Sequence, residues 1–307
     1  MRQWRGKPMP LFDAYLMIDW SAAATPRRGA DSIWLGLTRR HRGGCRLAML
    51  ENPPTRAAAT ARLGDILARL LRRGDRVLAG FDFPFGYPTG TAARLGLSGL
   101  PWRHLWQLLD DGLTDATDNR NNRYALAAAL NGRMGGEAFP FWGHGARDDI
   151  PLLVRRGRRP HGETDIAERR LCDRRLPAAQ PVWKLAGVGS VGGQTMTGIP
   201  RVWQLRRDPR LAMATQIWPF ETGLADDPRA QLLLAEIYPS MVPPLMLSGL
   251  PRDAGQVAAI GRHLAILDRA NRLAPLFAGD PGLTADQRRG VEREEAWVLG
   301  LADRVVR

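Results

Sequence analysis

Ala14-Tyr-Leu-Met-Ile-Asp19-Trp20 is a run of apolar and β-favouring residues that stops at an acid, and small residues and Pro26-Arg-Arg-Gly29 follow it. It reads as a buried strand with a carboxylate at its C-terminal edge. Working outward, Ser32 to Thr38 and Cys45 to Leu50 are two more runs of strand length, separated by the turn-like Arg42-Gly-Gly44. Three short consecutive strands imply an antiparallel meander. From Thr55 to Arg73 the apolar residues Ala59, Leu63, Ile66, Leu67, Leu70 and Leu71 form a helical stripe, closed by Gly74 as C-cap. Arg76-Val-Leu-Ala-Gly-Phe-Asp82 is then a strand that again ends on an acid. The order so far is β-β-β-α-β.

From about 104 to 212 the chain turns Arg-, Gly- and Pro-rich, with helical pieces such as Asn122 to Leu130. Because this stretch holds Trp106, Trp142, Trp183 and Trp203, it reads as an insertion into a single domain spanning 1–307 rather than a free linker. Strand-like runs return at Ala212 to Trp218 and Gln231 to Tyr238. Two long helices are expected after them, Asp253 to Phe277 and Thr284 to Val306, the second opened by the capping box Thr284-Ala-Asp-Gln287.

The 307 residues are 44% hydrophobic and 24% charged, which excludes a disordered chain and allows one large core. Lysine and arginine total 44 against 31 acids, a formal +13 that points to a polyanionic partner. Lys7 and Lys184 are the only lysines, so G- and C-rich codon usage explains part of the arginine content but not its distribution. Residues 151–210 carry 13 basic side chains and 5 acids, and so hold +8 of the +13. Arg155, Arg156, Arg158, Arg159 and Arg201, interleaved with Trp183 and Trp203, are expected to neutralise phosphates and stack bases. Two cysteines make no disulfide framework, and the start of the chain shows neither signal core nor membrane span, so a cytoplasmic protein is expected.

Asp19, Asp82 and Glu236 each close a strand expected to be buried, where a carboxylate costs several kcal/mol to desolvate unless something compensates it. Taken singly, each has a structural reading as a turn former or an arginine partner. As a set at matching strand ends they suggest one site. In the final helix Val291, Val298, Leu301, Ala302 and Val305 share a face at 100° per residue, Glu294 and Glu295 fall on it, and Glu292 points away. Oxygen ligands of this kind favour Mg²⁺ or Mn²⁺.

Ile18-Asp19-Trp-Ser21, Gly80-Phe-Asp82-Phe-Pro84-Phe-Gly86-Tyr-Pro88, Glu236-Ile-Tyr-Pro239 and Glu295-Ala296 give the chain a resemblance to uncharacterised bacterial proteins described as predicted nucleases of ribonuclease H-like fold. The resemblance implies an α/β ribonuclease H-like core and a metal-dependent hydrolase acting on phosphodiester bonds. It further implies two Mg²⁺ or Mn²⁺ ions bridged by Asp19 and flanked by Asp82 and Glu236, with Glu295 or its neighbour Glu294 completing the shell. Aspartate is the commoner residue at that helix position, so the glutamate is a departure. The alternatives are a non-catalytic nucleic-acid-binding or assembly protein and a nucleotide-dependent phosphotransferase of the same fold. Against the phosphotransferase, Trp-Ser-Ala rather than a glycine-rich turn follows Asp19.

Gly187-Val-Gly189-Ser-Val-Gly192 matches GxGxxG, but no β-α-β unit with a suitable acid follows. Its backbone N–H groups, with Gln194 and Thr195, offer a phosphate contact or form a plain turn. Asp115 to Arg123 has two readings, a helix-capping stretch with its cap at Asp118 or Asn121 and a segment lining the site. The five histidines lack zinc-ligand spacing.

Overall fold

The computed structural model describes residues 10–225 and 228–301. Ala14–Asp19 forms β1, and the sheet is assembled around it. β2 (Trp34–His41) pairs antiparallel to β1, and β3 (Gly44–Glu51) pairs antiparallel to β2. α1 (Arg56–Arg72) then carries the chain to β4 (Val77–Phe81), which lies parallel to β1 on its other side. α2 (Thr91–Arg94), α3 (Pro101–Gly112), α4 (Arg123–Met134) and α5 (Gly192–Arg207) follow, then β5 (Thr215–Ile217) and β6 (Leu232–Glu236). α6 (Arg252–Arg269) and α7 (Ala285–Gly290) complete a mixed six-stranded α/β structure of order β3-β2-β1-β4-β6-β5. No helix among the described residues is long and apolar enough to cross a membrane.

The central strands are apolar on both faces because both are covered. Leu16, Ile18, Ala79, Phe81, Leu232 and Leu234 join a core with α1, α3 and α5 residues. The alternate residues Tyr15, Met17, Leu78, Leu233 and Ala235 join Val257, Ile260 and Leu264 of α6 on the opposite face. Helix α1 begins where its cap dictates, with Thr55 accepting a hydrogen bond from the Ala58 N–H at 3.2 Å. At its other end Arg73 is the cap and Gly74, at φ +79°, is the left-handed residue beyond it.

The region expected as an insertion is part of the core. Trp106, Trp183, Met196 and Trp203 are buried in the same cluster as β1 and β4. Trp183 is fully buried and Trp203 is 6% exposed, so the expected base-stacking role is corrected: these rings pack against protein. α5 lies close to the sheet because Gly198 admits Phe83, whose ring carbons stand 2.3–2.7 Å from where a Cβ would be.

The closing helices also differ from expectation. α6 ends at Arg269, ahead of a 3₁₀ segment at Ala274–Ala278. The capping box forms on Thr284 and Gln287, but α7 stops at Gly290 and widens into a π-helical turn over Val291–Glu295. Ala296, at φ +61°, reverses the chain, and Val298 bridges in parallel to Glu236. The helical face expected through Val305 is therefore broken at Ala296. Ala302, Val305 and Val306, like the start at Met1 to Met9, lie outside the described residues.

Candidate functional site

Strand register places the first two acids together. Ile18 is level with Phe81, so Asp19 is level with Asp82, whose N–H donates to Ile18 O at 3.2 Å. Their carboxyls meet at the C-terminal edge of the sheet, the usual position of ligand sites in open α/β folds. They stand in a cavity of about 830 Å³. The Trp20 N–H donates to Asp82 Oδ1 at 2.7 Å and fixes that carboxyl. Asp253, in the first turn of α6, also lines the cavity, and its Oδ2 accepts from the Asp31 N–H at 2.7 Å.

Loss of water raises the Asp19 carboxyl well above the aspartate range, and the charge and hydrogen bond of Asp82 raise it further. Burial raises Asp82 as well, against the hydrogen bonds from Asp19 and Trp20 that lower it. Asp253 pushes both upward. Both shifts favour the protonated form of the pair.

Glu236 reaches the same cavity with a different partner. It is level with Phe81, one residue out of step with Asp82, so the pleat turns its side chain to the opposite face of the sheet. There the buried Arg170 donates to Glu236 Oε1 and Oε2 at 2.7 Å each, and the Phe85 N–H donates to Oε2 at 2.9 Å. Arg170 also pairs with Asp173 at 2.8 Å. Burial opposes its charge, but Asp173 and Glu236 outweigh that and hold the guanidinium protonated. Burial keeps Glu236 above the usual glutamate range despite Arg170.

Glu294 and Glu295 do not line the cavity. Glu294 accepts from the N–H groups of Gly90 and Ala92 at 2.9 and 2.6 Å. Glu295 accepts from Thr89 N–H and Oγ1 at 2.9 and 2.8 Å, and from the Leu171 N–H at 2.6 Å. The π-helical turn thus docks on the segment after Asp82. Gly86 permits the contact, since a Cβ there would stand 2.1 Å from Glu294 O. Glu292, expected to point away, accepts from the Leu224 N–H at 2.8 Å. Of the five acids expected at one centre, only Asp19 and Asp82 are joined; the other three are satisfied by protein donors. Among the described residues no group of three or more His, Cys, Asp or Glu is arranged to hold a metal ion.

The expected arginine surface is also elsewhere. Arg155, Arg156, Arg158 and Arg159 are exposed and do not line the cavity. Arg158 pairs with Glu168, and Arg159 with Asp165 at 2.6 Å and Glu137 at 3.0 Å. Arg155 donates to Arg147 O at 2.7 Å. Arg201 pairs with Asp115 at 2.8 Å, beside the buried Arg56. Gln194 does line the cavity, with its Nε2 donating to Trp20 O at 2.6 Å.

Sequence reasoning singled out neither Asp253 nor Arg123. Arg123 opens α4, is 9% exposed and lines the cavity, and its Nε has no hydrogen-bond partner. The only sequence signal for it was the polar Asp115 to Arg123 stretch. Asp253 reads in sequence as a helix-dipole partner.

No protein-family model, curated protein or solved structure matches this chain.

Proposed function

We propose that the protein is a divalent-cation-dependent hydrolase of phosphodiester bonds in nucleic acid, built on a ribonuclease H-like core. The observation that carries this reading is the Asp19–Asp82 pair, two carboxyls joined at the ends of adjacent parallel strands in an open cavity. The sheet order supports the core assignment: an antiparallel β1–β3 meander is extended by parallel β4 and β6.

Two like charges this close at a half-buried strand edge are relieved by sharing a proton or a cation. The all-oxygen donor set fits Mg²⁺ or Mn²⁺. Asp19 and Asp82 would hold the metal, with Asp253 the next carboxylate on the cavity wall. When bound, such an ion offsets negative charge on the phosphoryl group and acidifies water. The chain's own contribution is orientation. Trp20 N–H fixes Asp82, and Arg170 keeps Glu236 engaged on the opposite side of the pleat. The engagement of Glu236, Glu294 and Glu295 narrows the ligand set expected for two ions to the aspartates.

The test is cleavage of labelled RNA and DNA, single-stranded and duplex, with Mg²⁺ or Mn²⁺, beside Mn²⁺ calorimetry. Asp19→Asn is expected to abolish both cleavage and Mn²⁺ binding while the fold persists. Undiminished cleavage in that variant removes the mechanism. Nucleic-acid binding without cleavage by the wild type leaves the non-catalytic alternative.

A further inference from the structure

The cavity has a second wall whose chemistry is opposite to that of the aspartates. It is formed by the loop Gly187–Ser190, the start of α5 and Arg123. Thr195 N–H makes the first helical bond, to Val191 O, and Gly192 N–H is taken by Lys184 O. The Gly193 and Gln194 N–H groups therefore have no intrahelical acceptor, and the N-cap residue, Val191, has no side-chain oxygen to supply one. A helix of 16 residues presents its positive end here.

Arg123 adds an independent observation. Its Nη1 donates to Asn121 Oδ1 and its Nη2 to Tyr124 Oη, both at 2.9 Å, so both partners are neutral. The Nε–H is buried and unpaired, an arrangement that costs free energy unless an acceptor arrives. This nitrogen stands 3.5 Å from where a Cβ of Gly193 would be, so guanidinium and helix terminus converge. The other cavity arginines differ: Arg27 faces Asp31 at 3.2 Å, and Arg170 faces Asp173 and Glu236.

We propose that this wall is a phosphate-binding subsite, in which Arg123 and the N-terminus of α5 hold a phosphate group of the substrate across the cavity from Asp19 and Asp82. The proposal rests on the hydrolase reading for which molecule carries the phosphate; the anion site itself stands on Arg123 and α5. The planar guanidinium and helix N–H groups suit a tetrahedral oxyanion. A volume of about 830 Å³ admits a nucleotide or a single-stranded chain end.

Binding of inorganic phosphate is measured by calorimetry in chelator, so that no metal and no turnover enters. Wild-type protein is expected to bind, and Arg123→Met to weaken binding by about tenfold or more, the loss of one charge-assisted hydrogen bond. Ser190→Asp sets a carboxylate just before α5, which favours the helix while repelling phosphate, and it keeps the test valid if Arg123→Met does not fold. A similar loss in a folded Ser190→Asp protein supports the subsite. No phosphate binding by the wild type, or binding unchanged in Ser190→Asp, overturns it. Asp19→Asn should retain phosphate binding, so a failed hydrolase reading and a failed subsite are distinguishable. A nucleoside monophosphate and a 5′-phosphorylated oligonucleotide, each competed against phosphate, separate a free nucleotide from a chain end; displacement by neither overturns the assignment to substrate.

Discussion

Gln194 Nε2 donates to the carbonyl oxygen of Trp20 at 2.6 Å, and the N–H of the same Trp20 donates to Asp82. One peptide segment thus ties the first turn of α5 to the carboxylate pair, although 174 residues separate Gln194 from Trp20. Gln194→Leu should lower stability by about 1–2 kcal/mol, since a half-buried carbonyl loses its donor. A urea midpoint identical to wild type would show that the contact holds nothing.

The aspartate pair predicts an inverted pH response. Both folded-state values lie above those of an unfolded chain, Asp82 at about 6, so the folded protein binds more protons across that interval. Stability from this source is present at low pH and falls as pH rises through the folded-state values. In chelator, the difference between wild type and Asp19→Asn should therefore grow from about pH 5 to about pH 8, with the variant the more stable at the upper end. Thermal melts at the two pH values check the sign, and an opposite slope sinks the shared-proton assignment.

Arg170 sits among Asp173, Glu236 and the carbonyl of Glu295, and is 1% exposed. Arg170→Met leaves two buried carboxylates without their cation and should cost about 3–5 kcal/mol. Glu236→Gln retains an acceptor for Arg170 and Phe85 and should cost clearly less. Equal losses in the two variants, by denaturant unfolding, would contradict the pairing.

Gly86→Ala drives a Cβ into the backbone of Glu294 and Glu295, which cannot swing aside as a side chain would. A loss of about 1–3 kcal/mol is expected, whereas Gly135→Ala, with open space around it, should change stability by no more than about 0.5 kcal/mol. Comparable effects in both would falsify the docking of the turn on this segment.

Local pattern was enough to read β1 to β4 and α1, because strands buried on both faces are continuous apolar runs and Thr55 is a capping residue in the expected place. Asp19 and Asp82 were legible for the same reason, as acids that end such runs. Glu236 was legible as a strand end, but the one-residue offset against Asp82 and its pairing with Arg170 depend on long-range register, which has no local signature. Glu294 and Glu295 were misplaced because helical periodicity assumes a regular turn, and the widening at Val291 and positive φ at Ala296 break it. For the arginine cluster, charge density in sequence says nothing of the acids that face it in space, such as Glu168, Asp165 and Glu137.

The bridge between Val298 and Glu236, with Leu299 N–H donating to Glu236 O at 2.9 Å, makes the cavity depend on residues far along the chain from β1. During synthesis the segment containing Asp19 emerges far ahead of the turn at Val291–Glu295 that buttresses the stretch following Asp82. A chain cut short before this point would lack both the buttress on the stretch after Asp82 and the Val298 side of the cavity wall.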